Sequence, residues 1–162
     1  MPSADPSEER SVERNAALLV AVGSRACCIP LAYVVETMRP LPVEAVAGMP
    51  HFVKGLAVIR GVPVPVVDLA AALGSGEKGL AARFVSLRLG DRRLALAVDA
   101  VMGVRELEGT RLESMPPLLG AASAELVAAI GTLDSHLLVV LRATRVLSEE
   151  TWQTLDAHGA GR

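Results

Sequence analysis

Two short apolar runs on either side of an Arg-Gly pair constrain the fold of this chain more than any other feature. The segment 55–69 reads GLAVIRGVPVPVVDL. Four to six aliphatic residues bounded by a turn signal are typical of a buried β-strand. Arg60 is the only charge in the apolar part of the segment. A guanidinium is rarely buried without a partner, so we expect Arg60 at a strand end, facing solvent or another protein.

The second of these runs contains two prolines, Pro63 and Pro65, two residues apart. Their missing N–H groups therefore fall on the same edge of the strand, which predicts a strand at a sheet margin or at an opening in a barrel. A buried strand beside an exposed arginine is more typical of a binding module than of an active site.

The composition predicts a globular protein with an aliphatic core. The chain has 162 residues, of which 51% are hydrophobic and 2% aromatic, and its net charge is −2. This charge gives no long-range attraction to nucleic acid or to an anionic membrane. No apolar run approaches the ~18 residues of a membrane span. Residues 1–15 are polar and charged, so we expect a disordered tail and no secretory signal. We therefore expect a cytoplasmic protein. Its adjacent cysteines, Cys27 and Cys28, are expected to stay reduced.

Glycine and proline divide the rest of the chain into short strands, which is typical of small barrels or a sandwich. We predict one strand over 26–38, bent near Pro30, and one over 93–107, bulged near Gly103. A loop is expected over 39–49 and over 112–124, and a flexible linker near 74–80. Further strands are predicted at 16–22, on both sides of Arg60-Gly61, and at 83–89, 126–133 and 136–142. Helical turns are predicted at 50–54 and 69–73, the second capped by Asp68, and a C-terminal helix at 149–158, capped by Ser148.

The two halves of the chain resemble each other. Gly23 and Val34 match Gly90 and Val101 at an offset of 67 residues, and the Arg60 region matches the Asp134 region at an offset of 74. We infer a pair of β-lobes, each too small to bury enough surface alone, which share an apolar core. Residues from both halves are expected in that core: Val20, Leu31, Val66, Val85, Leu96 and Val140.

No motif points to catalysis or to a bound cofactor. The three histidines share no ligand spacing, and the chain contains no Cys-x-x-Cys and no Gly-x-Ser-x-Gly. We therefore expect no metal and no organic cofactor. Asp68, Asp91, Asp99 and Asp134 lie near strand ends. Two of them would have to converge in a cleft for acid–base catalysis; otherwise they are a helix cap, turn residues and a strand end.

From about Ala16 to Glu150 the sequence resembles the CheW family of bacterial chemosensory adaptors and the related regulatory domain of CheA kinases. The resemblance is carried by Phe52-Val53-Lys54-Gly55, by the Ile59-Arg60-Gly61 turn and by Asp68-Leu69. It extends to Val34-Val35-Glu36, to 84–107 and to 137–150. Two departures stand out: Val58 replaces a frequent asparagine, and the second strand has two prolines where the family usually has one.

The resemblance implies an all-β fold of two small five-stranded SH3-like barrels with a shared core. It also implies a non-catalytic adaptor that couples the cytoplasmic tip of a chemoreceptor to a CheA-type histidine kinase. The residues implied in receptor binding are Val34, Glu36, Arg60, Gly61 and Val101. For the kinase contact, Gly55 is implied by position, and we add Val62 and Val64 because the second strand is apolar yet contains the two prolines.

Three other functions stay open on the sequence. An accessory CheW-like protein would bind receptor without kinase, which the second proline could favour by weakening pairing at a strand edge. A nucleic-acid-binding barrel is disfavoured by the net negative charge and the scarce aromatics, and an enzyme by the missing constellations.

Overall fold

The computed structural model describes residues 16–74, 81–107, 126–133 and 136–158. The predicted tail (1–15), nearly all of the predicted linker (75–80), the predicted loop at 112–124 and the Asp134-Ser135 turn lie outside the described residues. Within the described part, no helix is long and apolar enough to cross a membrane.

Most of the described chain is β-structure, in two five-stranded sheets. The first sheet contains β1 (Ala16–Val22), β2 (Arg25–Pro30), β8 (Ala100–Glu106), β9 (Val127–Leu133) and β10 (His136–Leu141), in the order β8-β1-β2-β10-β9. The second contains β3 (Val34–Met38), β4 (Val53–Ile59), β5 (Val62–Asp68), β6 (Arg83–Leu89) and β7 (Arg92–Val98), in the order β3-β6-β7-β5-β4. We call them the first and second lobes, and they confirm the predicted pair of five-stranded lobes.

Each half of the chain contributes to both lobes. Strands β1 and β2 lie in the first lobe and β3–β5 in the second, whereas β6 and β7 return to the second lobe and β8–β10 to the first. Replacing every strand by its counterpart five strands away converts one strand order into the other. The sequence repeat is therefore visible in the topology. The chain passes from the first lobe to the second between Pro30 and Val34 and returns to the first lobe at Asp99. The strands before and after the segment 75–80, β5 and β6, both belong to the second lobe.

Three predicted elements were wrong in detail. The single strand over 26–38 is β2 and β3, which belong to different sheets and are joined by a 3-10 turn at Leu31–Tyr33. The strand over 93–107 is likewise β7 and β8. Strands β2 and β7 are largely buried, whereas β3 and β8 are half-buried or exposed. Neither crossing contains a glycine or a run of polar residues, so the sequence gives no sign of the change of partner. At 50–54 only His51 and Phe52 form a turn, and β4 already begins at Val53.

The helices are short, and each follows the last strand of one half of the chain. Helix α1 (Leu69–Ala72) begins after Asp68, whose Oδ1 accepts a hydrogen bond from the Ala71 N–H at 3.3 Å. Helix α2 (Glu149–Ala157) begins after Ser148, whose Oγ accepts from the Thr151 N–H at 3.2 Å. Both caps confirm the predicted side chains. A second 3-10 turn lies at Ala143–Arg145.

One large apolar cluster contains side chains of both lobes, and each lobe has a smaller cluster of its own. Val20, Val85 and Leu96 belong to the shared cluster, as predicted. Val66 lies in the second lobe's own cluster and Val140 in the first lobe's own cluster. Leu31 is only half-buried and packs against the shared cluster. The shared core thus holds the two lobes side by side.

Candidate functional site

The turn between β4 and β5 is formed by Arg60 and Gly61. Both residues are in the left-handed region, with φ of +53° and +78°. A two-residue turn with positive φ at both positions matches the twist of the strands that it joins. Gly61 satisfies that requirement without strain, and there is open space where its Cβ would be. Arg60 is a non-glycine residue in this region, a conformation that is uncommon and carries a small energetic cost.

Arg60 makes a two-point ion pair with Glu36 on β3. Its Nε donates to Glu36 Oε1 at 3.2 Å and its Nη2 to Oε2 at 2.9 Å. The Arg60 side chain is nevertheless 74% exposed and that of Glu36 28%. Arg60 therefore lies at a strand end and faces solvent, which confirms both the expected exposure and the expected proximity of Glu36. The planar fork of a guanidinium suits this two-point geometry.

The ion pair also fixes the charge state of Glu36. The hydrogen bond from Arg60 lowers the pKa of the Glu36 carboxyl below its usual 4.5, and the pKa of Arg60 rises in turn. Because the folded-state pKa of Glu36 is the lower one, the pair is complete above the unfolded-state pKa. It is lost only as the pH falls through the folded-state value. At neutral pH this site presents a fully ionised pair.

The other two predicted receptor residues lie on the two lobes. Val34 begins β3, an edge strand of the second sheet, and Val101 lies on β8, an edge strand of the first. Both are half-buried and pack against the shared apolar cluster. The structure therefore joins Glu36, Arg60 and Gly61 at one corner of the second lobe and places Val101 on the first lobe.

Four exposed aliphatic side chains near these residues were not predicted. Their exposed fractions are 57% for Val35, 65% for Val58, 51% for Met102 and 63% for Val104. Val35 lies where the pairing of β3 with β6 shifts register, and Met102 lies at the corresponding shift between β8 and β1. An unpaired bulge residue turns its side chain away from the regular alternation. For Val58 the sequence does carry a signal, because it takes the outward phase between buried Ala57 and Ile59.

The structure does not support a surface role for two of the three predicted kinase residues. Val64 is 0% exposed and lies in the second lobe's own cluster. Gly55 is buried as well, and a Cβ there would lie 2.0 Å from the Glu44 carbonyl oxygen. Val62 is half-buried and packs against the same cluster as Val64. The expectation that β5 offers its apolar side chains to a partner was wrong because these residues point into the lobe.

Gly55 has a structural task instead. Its φ is +140°, and it lies at a register shift in the pairing of β4 with β5. Next to it, the backbone of Leu56 exchanges two hydrogen bonds with Glu44, each 2.8 Å long. The segment before β4 therefore crosses directly over Gly55, at a distance that only glycine permits.

Pro63 and Pro65 lie in a strand with neighbours on both sides. Strand β5 is between β4 and β7, so the predicted sheet margin is formed by β4. In the described residues, however, β5 pairs with β7 only at Val66, Val67 and Asp68. The backbone nitrogens of both prolines point toward β7, because they alternate with Val62 and Val64, whose backbone groups exchange the hydrogen bonds with β4. They therefore lie at an opening of the sheet, which was the second alternative.

Three of the four carboxylates predicted near strand ends are in the described residues, and they lie in separate elements. Asp68 caps α1, Asp91 lies exposed in the turn between β6 and β7, and Asp99 lies where the chain passes from β7 to β8. The described residues contain no group of three His, Cys, Asp or Glu side chains that could hold a metal ion.

Comparison with known proteins decides the family. The model of the CheW-like domain matches residues 16–151. This chain belongs to the CheW-like domain family. The chain is 25% identical over 143 residues to the chemotaxis protein CheW of Klebsiella aerogenes, an alignment that covers 86% of this chain and 85% of that protein. It is 25% identical over 130 residues to a probable chemotaxis protein CheW of Rhizobium etli, covering 79% and 84%.

The CheW-like fold is also found by structural comparison. The crystal structure of the scaffolding protein TtCheW from Thermoanaerobacter tengcongensis matches with a TM-score of 0.72 and 20% sequence identity. The match covers 85% of this chain and 95% of TtCheW. The resemblance inferred from the sequence is thereby confirmed at the level of family and fold.

Proposed function

We propose that this CheW-like protein is a non-catalytic adaptor that couples the cytoplasmic tip of a chemoreceptor to a CheA-type histidine kinase. The observation that carries the proposal is the solvent-facing Arg60–Glu36 pair, with exposed Val35 beside Glu36 on β3 and exposed Met102 and Val104 on β8. A receptor tip is a helical hairpin, and such a partner needs an apolar stripe together with a few polar groups that fix its orientation. The family membership supports the same role.

We assign the receptor contact to the corner formed by Glu36, Arg60 and Gly61 and to the half-buried Val34 and Val101 on the two lobes. Arg60 remains largely exposed although both of its hydrogen bonds to Glu36 are formed. It can therefore contact a partner while Glu36 holds the guanidinium in place. Such a fixed, exposed arginine has the properties of an interface hot spot.

For the kinase contact we propose the outer face of the β4–β5 hairpin instead of the inner face, where Val64 is buried. Val58 on β4 lies directly opposite Pro63 on β5, so the two share one face. Val58 is 65% exposed, and β4 is an edge strand of its sheet. Because β4 forms the outer edge, the second proline in β5 gives no reason to expect loss of kinase binding.

The test of the receptor contact is the charge reversal Arg60→Glu, measured by titration with the tip fragment of a chemoreceptor from the same cell. We expect an affinity loss of about tenfold or more, as for a hot-spot residue. The melting temperature should stay nearly unchanged because the side chain is exposed. Arg83→Glu, an equal charge reversal at an exposed arginine of β6, is the matched control and should bind as the unaltered protein does.

The double variant Arg60→Glu with Glu36→Arg restores an ion pair in the opposite orientation. If the receptor contacts Arg60 itself, this variant stays weak although the pair is present. Full binding by Arg60→Glu, or full rescue by the double variant, would contradict a direct contact.

A further inference from the structure

The turn between β1 and β2 belongs to the first lobe but is bound to residues outside it. The Gly23 N–H donates to Asp99 Oδ2 at 2.7 Å, and Asp99 is the residue at which the chain leaves the second lobe for the first. Two residues further on, Arg25 Nη1 donates to the Leu73 carbonyl at 3.3 Å, at the end of α1. A cation at the last carbonyls of a helix is favourable. The turn is therefore fixed at two points to the neighbouring lobe.

The Asp99 carboxylate accepts backbone N–H groups from both lobes. Besides Gly23, its Oδ1 accepts from the Ala81 N–H at 3.3 Å, just before β6 of the second lobe. Its own N–H donates to the Ala21 carbonyl of β1 at 2.9 Å. Ala81 has a φ of +46°, a conformation that costs energy for a residue with a Cβ. The bond to Asp99 therefore stabilises an unfavourable backbone conformation.

The internal repeat shows that this bridge is not required by the fold in general. At the offset of 67 residues, the counterpart of Asp99 in the other crossing is Ala32, whose side chain has no hydrogen-bond acceptor. The two crossings thus have the same topology, but only the one that leads into β8 has a carboxylate between the lobes. Two residues after Asp99 comes Val101, the residue of the proposed receptor contact that lies on the first lobe.

We propose that Asp99 is a positioning residue that sets the orientation of the first lobe, and of Val101 on β8, relative to the second lobe. The shared apolar core holds the lobes together, but apolar attraction is non-directional. Hydrogen bonds to an ionised acceptor are directional and comparatively strong, so they select one orientation among those that bury similar apolar area. The effect on receptor binding rests on the proposed function; the effect on lobe orientation does not.

The orientation is tested on the full chain with Asp99→Ala, using residual dipolar couplings of the backbone amides of the two sheets. We expect the relative orientation of the sheets to change and amide exchange at Gly23 and Ala81 to accelerate by about tenfold or more. Asp99→Asn keeps one acceptor oxygen and the side-chain volume, so it should change the sheet orientation and the amide exchange less. It replaces Asp99→Ala in the experiment if that variant does not fold. The control Asp91→Ala removes an exposed carboxylate in the corresponding turn of the second lobe and should change neither quantity.

Receptor affinity then separates positioning from a mere loss of stability. We expect Asp99→Ala to bind the receptor tip fragment about tenfold more weakly. Ile29→Val, which also lowers stability through the buried shared core, should retain full affinity. An unchanged relative orientation of the two sheets in the Asp99 variants would overturn the proposal. A changed orientation would also overturn it if the Asp99 variants bound the receptor fragment with full affinity while Arg60→Glu still weakened binding. If Arg60→Glu itself binds fully, the proposed receptor contact fails, and the couplings alone decide the positioning role.

Discussion

At the residue scale, the same residue type has different structural roles at different places in this chain. Gly61 gives the β4–β5 turn its backbone conformation in open space, whereas Gly55 leaves room for a crossing segment. Arg60 is held by Glu36 and stays exposed, whereas Arg92 is 35% exposed and bridges to α2, with its guanidinium 5.0 Å from the ring centre of Trp152. Residue type alone therefore does not separate residues with a structural role from residues proposed to bind a partner.

Gly55→Ala should destabilise the protein strongly. Its Cβ would lie 2.0 Å from the Glu44 carbonyl oxygen, and φ of +140° is unfavourable for alanine. We expect a loss of at least about 1 kcal/mol in the free energy of unfolding, measured by urea denaturation. Gly48→Ala is the matched control: it also has a positive φ, of +80°, but no atom lies within 4 Å of its Cβ. Equal losses in the two variants would contradict the close approach at Gly55.

The thiols of Cys27 and Cys28 should not react in the folded protein. Both cysteines are free and 0% exposed. Burial is the main cause that raises the pKa of Cys27 to about 12 and that of Cys28 to about 11. The thiolate, which is the reactive form, is therefore scarce at pH 8. Ellman's reagent should modify neither thiol until urea unfolds the chain, and rapid modification in native buffer would contradict the described burial.

At the scale of elements, the β4–β5 hairpin shows how alternation divides a strand pair between core and surface. Ala57 and Val64 face each other on the buried side, and Val58 and Pro63 face each other on the outer side. The pattern of the sequence alone does not reveal this division in β5, since both of its faces are apolar and Pro65 is buried too. The outer face is therefore defined by β4, where the alternation is regular.

Val64→Glu and Val58→Glu should separate folding from binding on this hairpin. At Val64 an unpaired carboxylate would be buried in the second lobe, so we expect a molecule that does not fold cooperatively. The milder Val64→Ala should cost about 2 kcal/mol, measured by urea denaturation. At Val58 the new charge is in water, so folding should persist and binding to a CheA-type kinase from the same cell should weaken while receptor binding remains. A folded Val64→Glu, or full kinase binding by Val58→Glu, would contradict these assignments.

At the scale of the whole molecule, the two lobes have the same strand order, and neither is formed by one half of the chain. The hairpin of each half pairs with the last strands of the other half, through the parallel neighbours β2 with β10 and β5 with β7. A half of the chain therefore supplies two strands of one sheet and three strands of the other, and the first of those three, β3 or β8, pairs with a strand of the opposite half. Neither half contains a complete lobe.

We expect that cutting the chain within 75–80 gives two fragments that do not fold alone. Each fragment lacks strands of both sheets and part of the shared core, so its apolar faces remain uncovered. When mixed, the fragments should form a one-to-one complex with the circular dichroism spectrum of the intact protein. Cooperative thermal unfolding of either fragment by itself would contradict the exchange of strands between lobes.

The sequence by itself determined most strands, the Gly-containing hairpin turns and the exposure of Arg60, because alternation, turn residues and a lone charge act over a few neighbouring residues. The motif around Arg60, together with the similar segments at 34–36, 84–107 and 137–150, led to the family, and the repeated strand order led to the two lobes. Only the tertiary structure decided that 26–38 crosses between lobes, that Val64 is buried and that Val35 and Met102 protrude. These features depend on long-range pairing and register, and a continuous apolar strand has the same sequence pattern whichever partner covers each of its faces.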